Sequence, residues 1–275
     1  MDRCIWRQRS RFLWLREGDC NSKKFHIKAS ARRRKSFIPL VSVNNVTTTD
    51  QACKVKAFWD HFSNLIGTYK PCSASINLHV LQFPGVELGT LSSPISSEEV
   101  KAAIFDLHPE KAPGPDGFTG LFFRLAWDTI QNDVMLAMEK LEAAGTQGVS
   151  TLNNALLVLL PKTPEAAQPS EFRPISLVHS FGRIFTKILA NRLQPLMPSL
   201  VAPCQNAFIK GRSIHDNFIY VQRVIHSLEH RKLPALMLKL DISKAFDSVS
   251  WEFLIKLLLH RGFGASWISW IVSLC

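Results

Sequence analysis

The length, composition and charge of this 275-residue chain exclude several classes of protein. A hydrophobic share of 46% with 20% charged residues excludes a disordered chain and fits a packed core, in one large domain or two small ones. No apolar run is long enough to span a bilayer, no secretory signal is present, and no two of the six cysteines have the close spacing of a zinc knuckle. We therefore expect a protein with free thiols that is neither secreted nor inserted in a membrane.

The positive charge is concentrated at the beginning of the chain. The net charge is +11, and residues 1–36 hold 12 Lys and Arg against three acids, a balance of +9. Because aromatic side chains alternate with these cations, residues 1–37 predict a basic helical segment that binds a polyanion, nucleic acid first and an anionic membrane surface second. A solvated surface helix is the alternative interpretation. The cations expected to contact nucleic acid are Arg7, Arg9, Arg11, Lys23, Lys24, Arg32, Arg33, Arg34 and Lys35.

Hydrophobic periodicity and helix-start signals predict the elements that follow. A capping box of Ser96 with Glu99 marks one helix start, and Ser213 is a candidate N-cap of another. The expected elements are a strand with a turn over 38–49, a buried strand over Ala155–Leu160, its returning strand over Phe172–Leu177, and helices over Lys54–Ile66, Ser96–Leu107, Thr119–Ala144, Phe181–Leu193, Leu196–Leu200, Ile214–Leu228, Trp251–Leu259 and Ser266–Leu274.

Two segments without a helical pattern lie between these elements. The polar composition of residues 69–93 predicts a linker. Prolines and glycines in HPEKAPGPDGF, residues 108–118, exclude a helix there and predict a structured, charged loop; an ordinary turn between helices is the alternative. The Gly-containing stretch from Gln205 to Arg212 is expected to be an extended turn.

Two cations are expected at the end of a strand hairpin. Lys162 follows the first strand of the pair and Arg173 lies at the start of the second, so antiparallel pairing would place them at adjacent strand ends. Two such cations suit a triphosphate. The alternative is two ordinary exposed cations at a hairpin tip.

The stretch Ala235–Trp251 combines an apolar run with a carboxylate. The run from Ala235 to Leu240 predicts a strand buried on both faces, although a short buried helix gives the same pattern. Asp241 follows at once, and a carboxylate held at a strand end is suited to meet a metal or a phosphate-bearing ligand. An Asp that merely caps the turn is the alternative.

Taken in order, these motifs resemble the reverse transcriptases of non-LTR (LINE-type) retrotransposons, most closely those of plants. The matching stretches are WLREGDCNSKKFH (14–26), KAPGPDGF (111–118), LLPK (159–162), FRPISL (172–177), QNAFIKGRSIHDN (205–217) and LKLDISKAFDSVSW (238–251). The resemblance implies an α+β, right-hand polymerase with fingers and a partial palm, preceded by a basic helical extension. We expect residues 1–68 to form that extension, 69–93 the linker and 94–275 the partial polymerase domain.

The resemblance also implies roles for individual residues. Asp241 would be the catalytic aspartate that binds Mg²⁺, joined by the backbone carbonyl of Ile242. Phe246 would exclude a ribose 2′-hydroxyl, while Lys162 and Arg173 would contact the incoming triphosphate. In addition, Arg212 would contact nucleic acid. The implied partners are an RNA template, a DNA primer and deoxynucleoside triphosphates. The implied location is the nucleus, with the cytoplasm as the alternative, and the oligomeric state is left open.

One departure from the family pattern limits what this chain is expected to do alone. The family carries a second carboxylate pair in a later palm hairpin, whereas residues 1–275 contain no Asp-Asp or Asp-x-Asp pair. One carboxylate with a carbonyl holds Mg²⁺ weakly, so we expect a truncated polymerase that does not synthesise DNA by itself. The strand ending at Asp241 should then present an unpaired edge.

Two other functional classes remain as alternatives. The chain would be a non-catalytic RNA- or DNA-binding relic if its basic surfaces kept their affinity without the catalytic site. A small-molecule α/β enzyme is the third class, and it is disfavoured because the chain lacks a Gly-rich phosphate loop of the usual spacing.

Overall fold

The computed structural model describes most of the chain from Phe37 onward. The described residues are 30, 37–44, 46–65, 76–144, 153–241 and 249–274. They fall into two compact units, with unit 1 containing those within 1–69, 104–137 and 149–184, and unit 2 those within 70–103, 138–148 and 185–275. The predicted basic helix over residues 1–37, with the nine cations named above, lies outside the described residues apart from Ser30 and Phe37.

Unit 1 contains two small antiparallel sheets among the described residues. Strands β1 (Val41–Val43) and β2 (Val46–Thr48) form the first, which refines the predicted strand and turn into a tight hairpin. Strands β3 (Ala155–Pro161) and β4 (Phe172–Val178) form the second. This mixture of helices and small sheets agrees with the α+β class.

Helix α1 (Gln51–Leu65) contributes aromatic side chains to the core of unit 1. It begins at Gln51 rather than Lys54 because the Asp50 carboxylate accepts a hydrogen bond from the backbone N–H of Cys53 at 2.9 Å. That bond also holds the pKa of Asp50 below its ordinary value. From α1, Phe58 meets Phe172 of β4 edge to face, with ring centroids 5.0 Å apart.

The β3–β4 ladder confirms the predicted pairing but not the predicted burial. Leu160 lies opposite Arg173 and Val158 opposite Ile175. Strand β3 is largely exposed, with 53% of Leu156 accessible, so the prediction of a buried strand was wrong. A continuous apolar run indicates burial on both faces only when other layers cover both faces, and the described residues of unit 1 leave much of this ribbon exposed.

The Pro/Gly loop over residues 108–118 is ordered and non-helical, as predicted. Its Asp116 caps helix α4 (Ser180–Leu193): the Asp116 Oδ2 atom accepts from the Ser180 backbone N–H at 2.5 Å. The Ser180 hydroxyl donates to the Phe118 carbonyl at 2.9 Å, and the Arg183 guanidinium donates to the Ala112 carbonyl at 3.1 Å. The loop is therefore tied to the segment that follows β4.

Helices supply most of the remaining structure. The predicted helical segments are confirmed to within a few residues at their ends. The described bounds are α2 (Ser97–Asp106), α3 (Gly120–Ala144), α5 (Met197–Leu200) after a 3-10 turn (Gln194–Leu196), α6 (Ile214–His230), α7 (Trp251–His260) and α8 (Ala265–Leu274). None of the described helices is both long enough and apolar enough to cross a lipid bilayer.

Helix starts follow the predicted capping chemistry. The Ser96 hydroxyl accepts from the Glu99 N–H at 3.3 Å, while the Glu99 carboxylate accepts from the Ser96 N–H at 3.0 Å, which completes the capping box. Ser213 caps α6 by accepting from the His215 N–H. Short-range hydrogen bonds of this kind are encoded within a few residues and are therefore visible in the sequence.

An arginine anchors the start of α2 in unit 2. The Arg192 guanidinium forms a bidentate pair with Glu99, at 2.7 and 2.8 Å, and donates to the carbonyls of Leu91, Ser93 and Pro94. Its side chain is only 8% exposed. The hydrogen bonds from Arg192 hold the pKa of Glu99 below its ordinary value.

The predicted linker is partly structured. Two short 3-10 helices, Leu78–Leu81 and Gly89–Ser92, lie in its described part, and Leu88 and Leu91 are buried in unit 2. The three-part division of the chain stays a prediction.

The predicted strand before Asp241 was wrong. Residues 233–241 have no strand partner among the described residues and run without regular structure, with 95% of Leu236 exposed. A strand needs a neighbour to receive its backbone hydrogen bonds, and the described residues provide none here. Because no strand forms over these described residues, the expected strand edge is not present either, and the apolar side chains are in solvent rather than buried.

A half-buried carboxylate near the end of α3, that of Glu142, leads to a testable prediction. Glu142 accepts from the Ile95 N–H at 3.1 Å, and burial raises the pKa of Glu142 above its ordinary value. A carboxyl whose pKa is raised by folding costs stability once it ionises, so the penalty grows as the pH rises through and above 4.5. Glu142→Gln keeps an acceptor for Ile95 and is expected to raise the free energy of unfolding at pH 7 by about 0.5 kcal/mol.

Urea unfolding at pH 4 and pH 7 checks this prediction, with Asp133→Asn, an exposed position on the same helix, as the matched control. The Glu142 variant should gain stability over the wild type at pH 7 and little at pH 4. A loss of stability at pH 7 would contradict it, since the charged acceptor would then contribute more than its burial costs.

Candidate nucleotide and nucleic-acid contacts

The β3–β4 hairpin brings two of the predicted site residues to one end of the ladder. Arg173 pairs with Leu160, and Lys162 follows Pro161, the last residue of β3. Both cationic side chains are exposed. The structure thus places two accessible cations at adjacent strand ends, in the arrangement expected from the sequence.

Hydrogen bonds fix the conformation of the connection between β3 and β4. The Lys162 N–H donates to the Glu171 carbonyl at 2.9 Å, and the Lys162 ammonium donates to the Ser170 carbonyl at 2.7 Å. The Glu171 carboxylate accepts from the backbone N–H groups of Ala167 and Gln168 at 2.8 and 2.9 Å, and these bonds lower the pKa of Glu171. An ammonium has three donors, so Lys162 keeps capacity for an anionic ligand.

Sequence reasoning did not identify Glu171 as part of this tip. Its spacing after Gln168 is that of a capping box with Gln at the N-cap position, which is a weaker signal than Ser or Thr there. The result is a short 3-10 turn, Pro169–Glu171, that leads directly into β4.

The turn over residues 205–212 is organised by Arg212. Its guanidinium donates to the carbonyls of Gln205 at 2.7 Å, Ala202 at 2.8 Å and Val201 at 3.3 Å. Two further hydrogen bonds join this turn to α6. The Asn206 amide donates to Asn217 at 2.8 Å, and the Asn217 amide donates to the Cys204 carbonyl at 3.1 Å. Arg212 therefore shapes the turn, and its predicted contact with nucleic acid stays a prediction.

Asp241 lies in unit 2 as an exposed residue at the end of the apolar segment. The other members of the predicted catalytic stretch, Ile242 and Phe246, lie outside the described residues, so their roles stay predictions. Within the part of the chain that is described, no three His, Cys, Asp or Glu side chains gather into a group that could hold a metal ion. A single exposed carboxylate offers a hard oxygen ligand but does not make a Mg²⁺ site.

Lys162, Arg173, the turn over residues 205–212 and Asp241 all lie within one segment that matches a known family. Residues 160–274 match the family model described as reverse transcriptase (RNA-dependent DNA polymerase). This part of the chain therefore belongs to the reverse transcriptase family.

The proteins that this chain is similar to come from non-LTR retrotransposons. The chain is 30% identical over 184 residues to the transposon TX1 uncharacterized 149 kDa protein of Xenopus laevis, covering 67% of this chain and 14% of that protein. It is 31% identical over 171 residues to the Pol polyprotein of retrotransposable element R1 from Bradysia coprophila, covering 61% and 17%. It is also 30% identical over 197 residues to the Pol polyprotein of element R2DM from Drosophila melanogaster, covering 71% and 18%. The chain thus spans less than a fifth of each of these relatives.

Proposed function

We propose that this chain is the fingers and the first part of the palm of an RNA-directed DNA polymerase encoded by a non-LTR retrotransposon. The observation that carries the proposal is the hairpin with Lys162 and Arg173 at one end, inside the segment that matches the reverse transcriptase family. An RNA template, a DNA primer and deoxynucleoside triphosphates are the proposed partners. The basic run from Arg32 to Lys35 supports a nuclear location.

The hairpin cations supply electrostatic positioning. Phosphoryl transfer depends mainly on holding the phosphates in place and neutralising their charge. Arg173 offers a planar fork that matches phosphate oxygens, and Lys162 offers a compact charge that is already oriented by Ser170. Both groups would bind and orient the triphosphate.

The metal requirement is not met by the described residues. Reverse transcriptases use divalent cations, and we propose Mg²⁺ with Asp241 as one ligand in a longer polymerase. Because the described residues hold no group of three His, Cys, Asp or Glu side chains that could bind a metal ion, we derive no chemical step through the metal. The charge balance of +9 over residues 1–36 supports a second candidate function, namely binding of RNA or DNA without catalysis.

Nucleotide binding and primer extension together test this proposal. We expect residues 1–275 to bind dTTP, and Arg173→Ala to weaken that binding about tenfold because a charge-assisted hydrogen bond contributes about 1.5 kcal/mol or more. Lys140→Ala, which removes an exposed cation from α3, is the control and should bind normally. On an RNA template with a DNA primer and Mg²⁺ or Mn²⁺, we expect no synthesis.

Two results would contradict the proposal in different ways. Equal dTTP affinity for Arg173→Ala and Lys140→Ala would reject the hairpin as the triphosphate site. Template-dependent synthesis by residues 1–275 would show that a second carboxylate pair is not needed, and it would reject the non-catalytic alternative.

A further inference from the structure

A groove with a volume of about 690 Å³ lies in unit 1 between helix α1 and strand β3. The described part of its lining is mostly apolar, with Val55, Trp59 and Phe62 from α1 and Leu157 and Leu159 from β3. Spacings of three and four along a helix, and of two along a strand, bring each set to one face. The volume is within the roughly 300–1,000 Å³ of pockets that hold small organic ligands. The groove is therefore large enough for such a molecule.

Lys54 contributes a buried cation to the same lining, with only 7% of the residue exposed. Its ammonium donates to the Ile38 carbonyl at 3.0 Å and lies 5.5 Å from the centre of the Phe37 ring, and both of these residues also line the groove. No carboxylate forms an ion pair with Lys54 within the described part of the chain. Lysine is rarely buried unless its charge is paired, and an ammonium has three donors. Two donors and an uncompensated charge are thus left for an anionic ligand.

The polar and apolar parts of the α1 wall lie at different ends. Gln51 lies one turn before Lys54 and also lines the groove, so its amide belongs to the same end as the ammonium. From Lys54 to Phe62 the α1 lining is apolar over about 12 Å, at a rise of about 1.5 Å per residue. Ser63 at the far end is polar, but its hydroxyl donates to the Trp59 carbonyl. The groove therefore has a cationic end and an apolar length.

We propose that this groove binds an amphipathic carboxylate, a molecule with a single hydrocarbon chain and one anionic head. The carboxylate accepts hydrogen bonds from Lys54 and Gln51 and supplies the missing counter-charge. The hydrocarbon chain lies along Val55 and Trp59, which are 58% and 73% exposed, and removes their apolar surface from water. The site is separate from the cations of the β3–β4 hairpin, so the inference goes beyond the proposed function and does not rest on it.

Equilibrium dialysis of the 275-residue chain with dodecanoate, below its micelle-forming concentration, tests the proposal. The neutral methyl ester of the same acid is the comparison ligand, because it keeps the hydrocarbon chain and lacks the charge. Wild-type protein should bind dodecanoate at least about tenfold more tightly than the ester, as expected for a hydrogen bond between charged partners.

Substitutions of Lys54 test the contact with the head of the ligand. Lys54→Met keeps an apolar stem and should remove the preference for dodecanoate over the ester, whereas Lys54→Arg should retain it. Lys56→Met removes an exposed cation from the same helix and is the matched control, with an unchanged preference.

Substitution of Trp59 tests the contact with the hydrocarbon chain. Because Trp59 is 73% exposed, Trp59→Ala should fold normally, and it should weaken the binding of both ligands by about fivefold without changing the ratio of their affinities. Tyr220→Ala removes an exposed ring from the lining of an apolar cavity in unit 2 and is the matched control, with both affinities unchanged.

Three outcomes overturn the inference. Equal affinity of the wild type for dodecanoate and its ester, or binding of neither, would leave the groove to an apolar protein segment. A preference that persists in Lys54→Met, or that is lost equally in Lys56→Met, would assign the attraction to the general surface charge. Unchanged affinities in Trp59→Ala would place the ligand elsewhere on the chain. None of these results bears on dTTP binding at the hairpin, so the proposed function is tested separately.

Discussion

Replacing Gly114 by alanine is expected to destabilise unit 1 by about 3 kcal/mol or more, because the added methyl group has no room. A Cβ atom at this position would lie 2.1 Å from the Val178 carbonyl oxygen and 2.6 Å from its carbon. Both are backbone atoms at the end of β4, so relief requires the loop or the strand to move. Urea unfolding of the purified variant measures the loss as a lower midpoint.

Alanine variants of two other glycines serve as comparisons for the stability loss of Gly114→Ala. At Gly85 an added Cβ has nothing within 4 Å, so Gly85→Ala should change the free energy of unfolding by less than about 1 kcal/mol. Gly117 has open space but a φ of +72°, so its alanine variant should lose about 1 kcal/mol through backbone strain alone. If Gly114→Ala proved no more costly than Gly85→Ala, the close approach of the loop to β4 would not exist in solution.

Removing the guanidinium of Arg192 is expected to cause the second large loss of stability. Arg192→Met keeps the apolar stem but deletes the bidentate pair with Glu99 and the bonds to three carbonyls. We expect a loss of about 3 kcal/mol, since these groups are left partly buried without their donor. Arg192→Lys should recover only part of this, because an ammonium cannot reproduce the planar fork.

The pH dependence identifies the cause of that loss. Folding lowers the pKa of Glu99, so the stability from its pairing is present above 4.5 and is lost as the pH falls through the lower pKa of the folded state. The difference between wild type and Arg192→Met should therefore shrink in acid. Arg223→Met, at an exposed position on α6, is the control, and a loss there equal to that of Arg192→Met would contradict the assignment.

The features that could be predicted from the sequence are those encoded over short distances. The capping box of Ser96 with Glu99 joins residues three apart, and the structure confirms it. The partner of Glu99, Arg192, lies 93 positions along the chain, and no local pattern connects the two. The helix starts could therefore be predicted from the sequence, whereas the contact between Arg192 and Glu99 that holds one of them in place could not.

Burial was the least predictable property. An apolar run indicates that side chains avoid water, but it does not say whether another layer is available to cover them. Leu156 in β3 and Leu236 before Asp241 were both expected in a buried strand, and both are exposed. In the first case the strand has a partner on one edge, and in the second the described residues supply none.

The residues of the candidate site also differ in how far they could be predicted from the sequence. The cations Lys162 and Arg173 could be paired from the hairpin pattern, because register follows from strand order and loop length. The φ of 64° at Phe208 was not predicted, since nothing in a phenylalanine favours a positive φ.

The exposed apolar segment over residues 233–241 has a consequence for how unfolding is observed. Side chains such as Leu236, Leu238 and Leu240 already contact water in the folded chain, so unfolding adds little apolar surface there. Both the denaturant m-value and the heat-capacity change scale with newly exposed surface. We therefore expect both quantities to be smaller than those of a fully packed protein of this length, and to rise when a binding partner covers this segment.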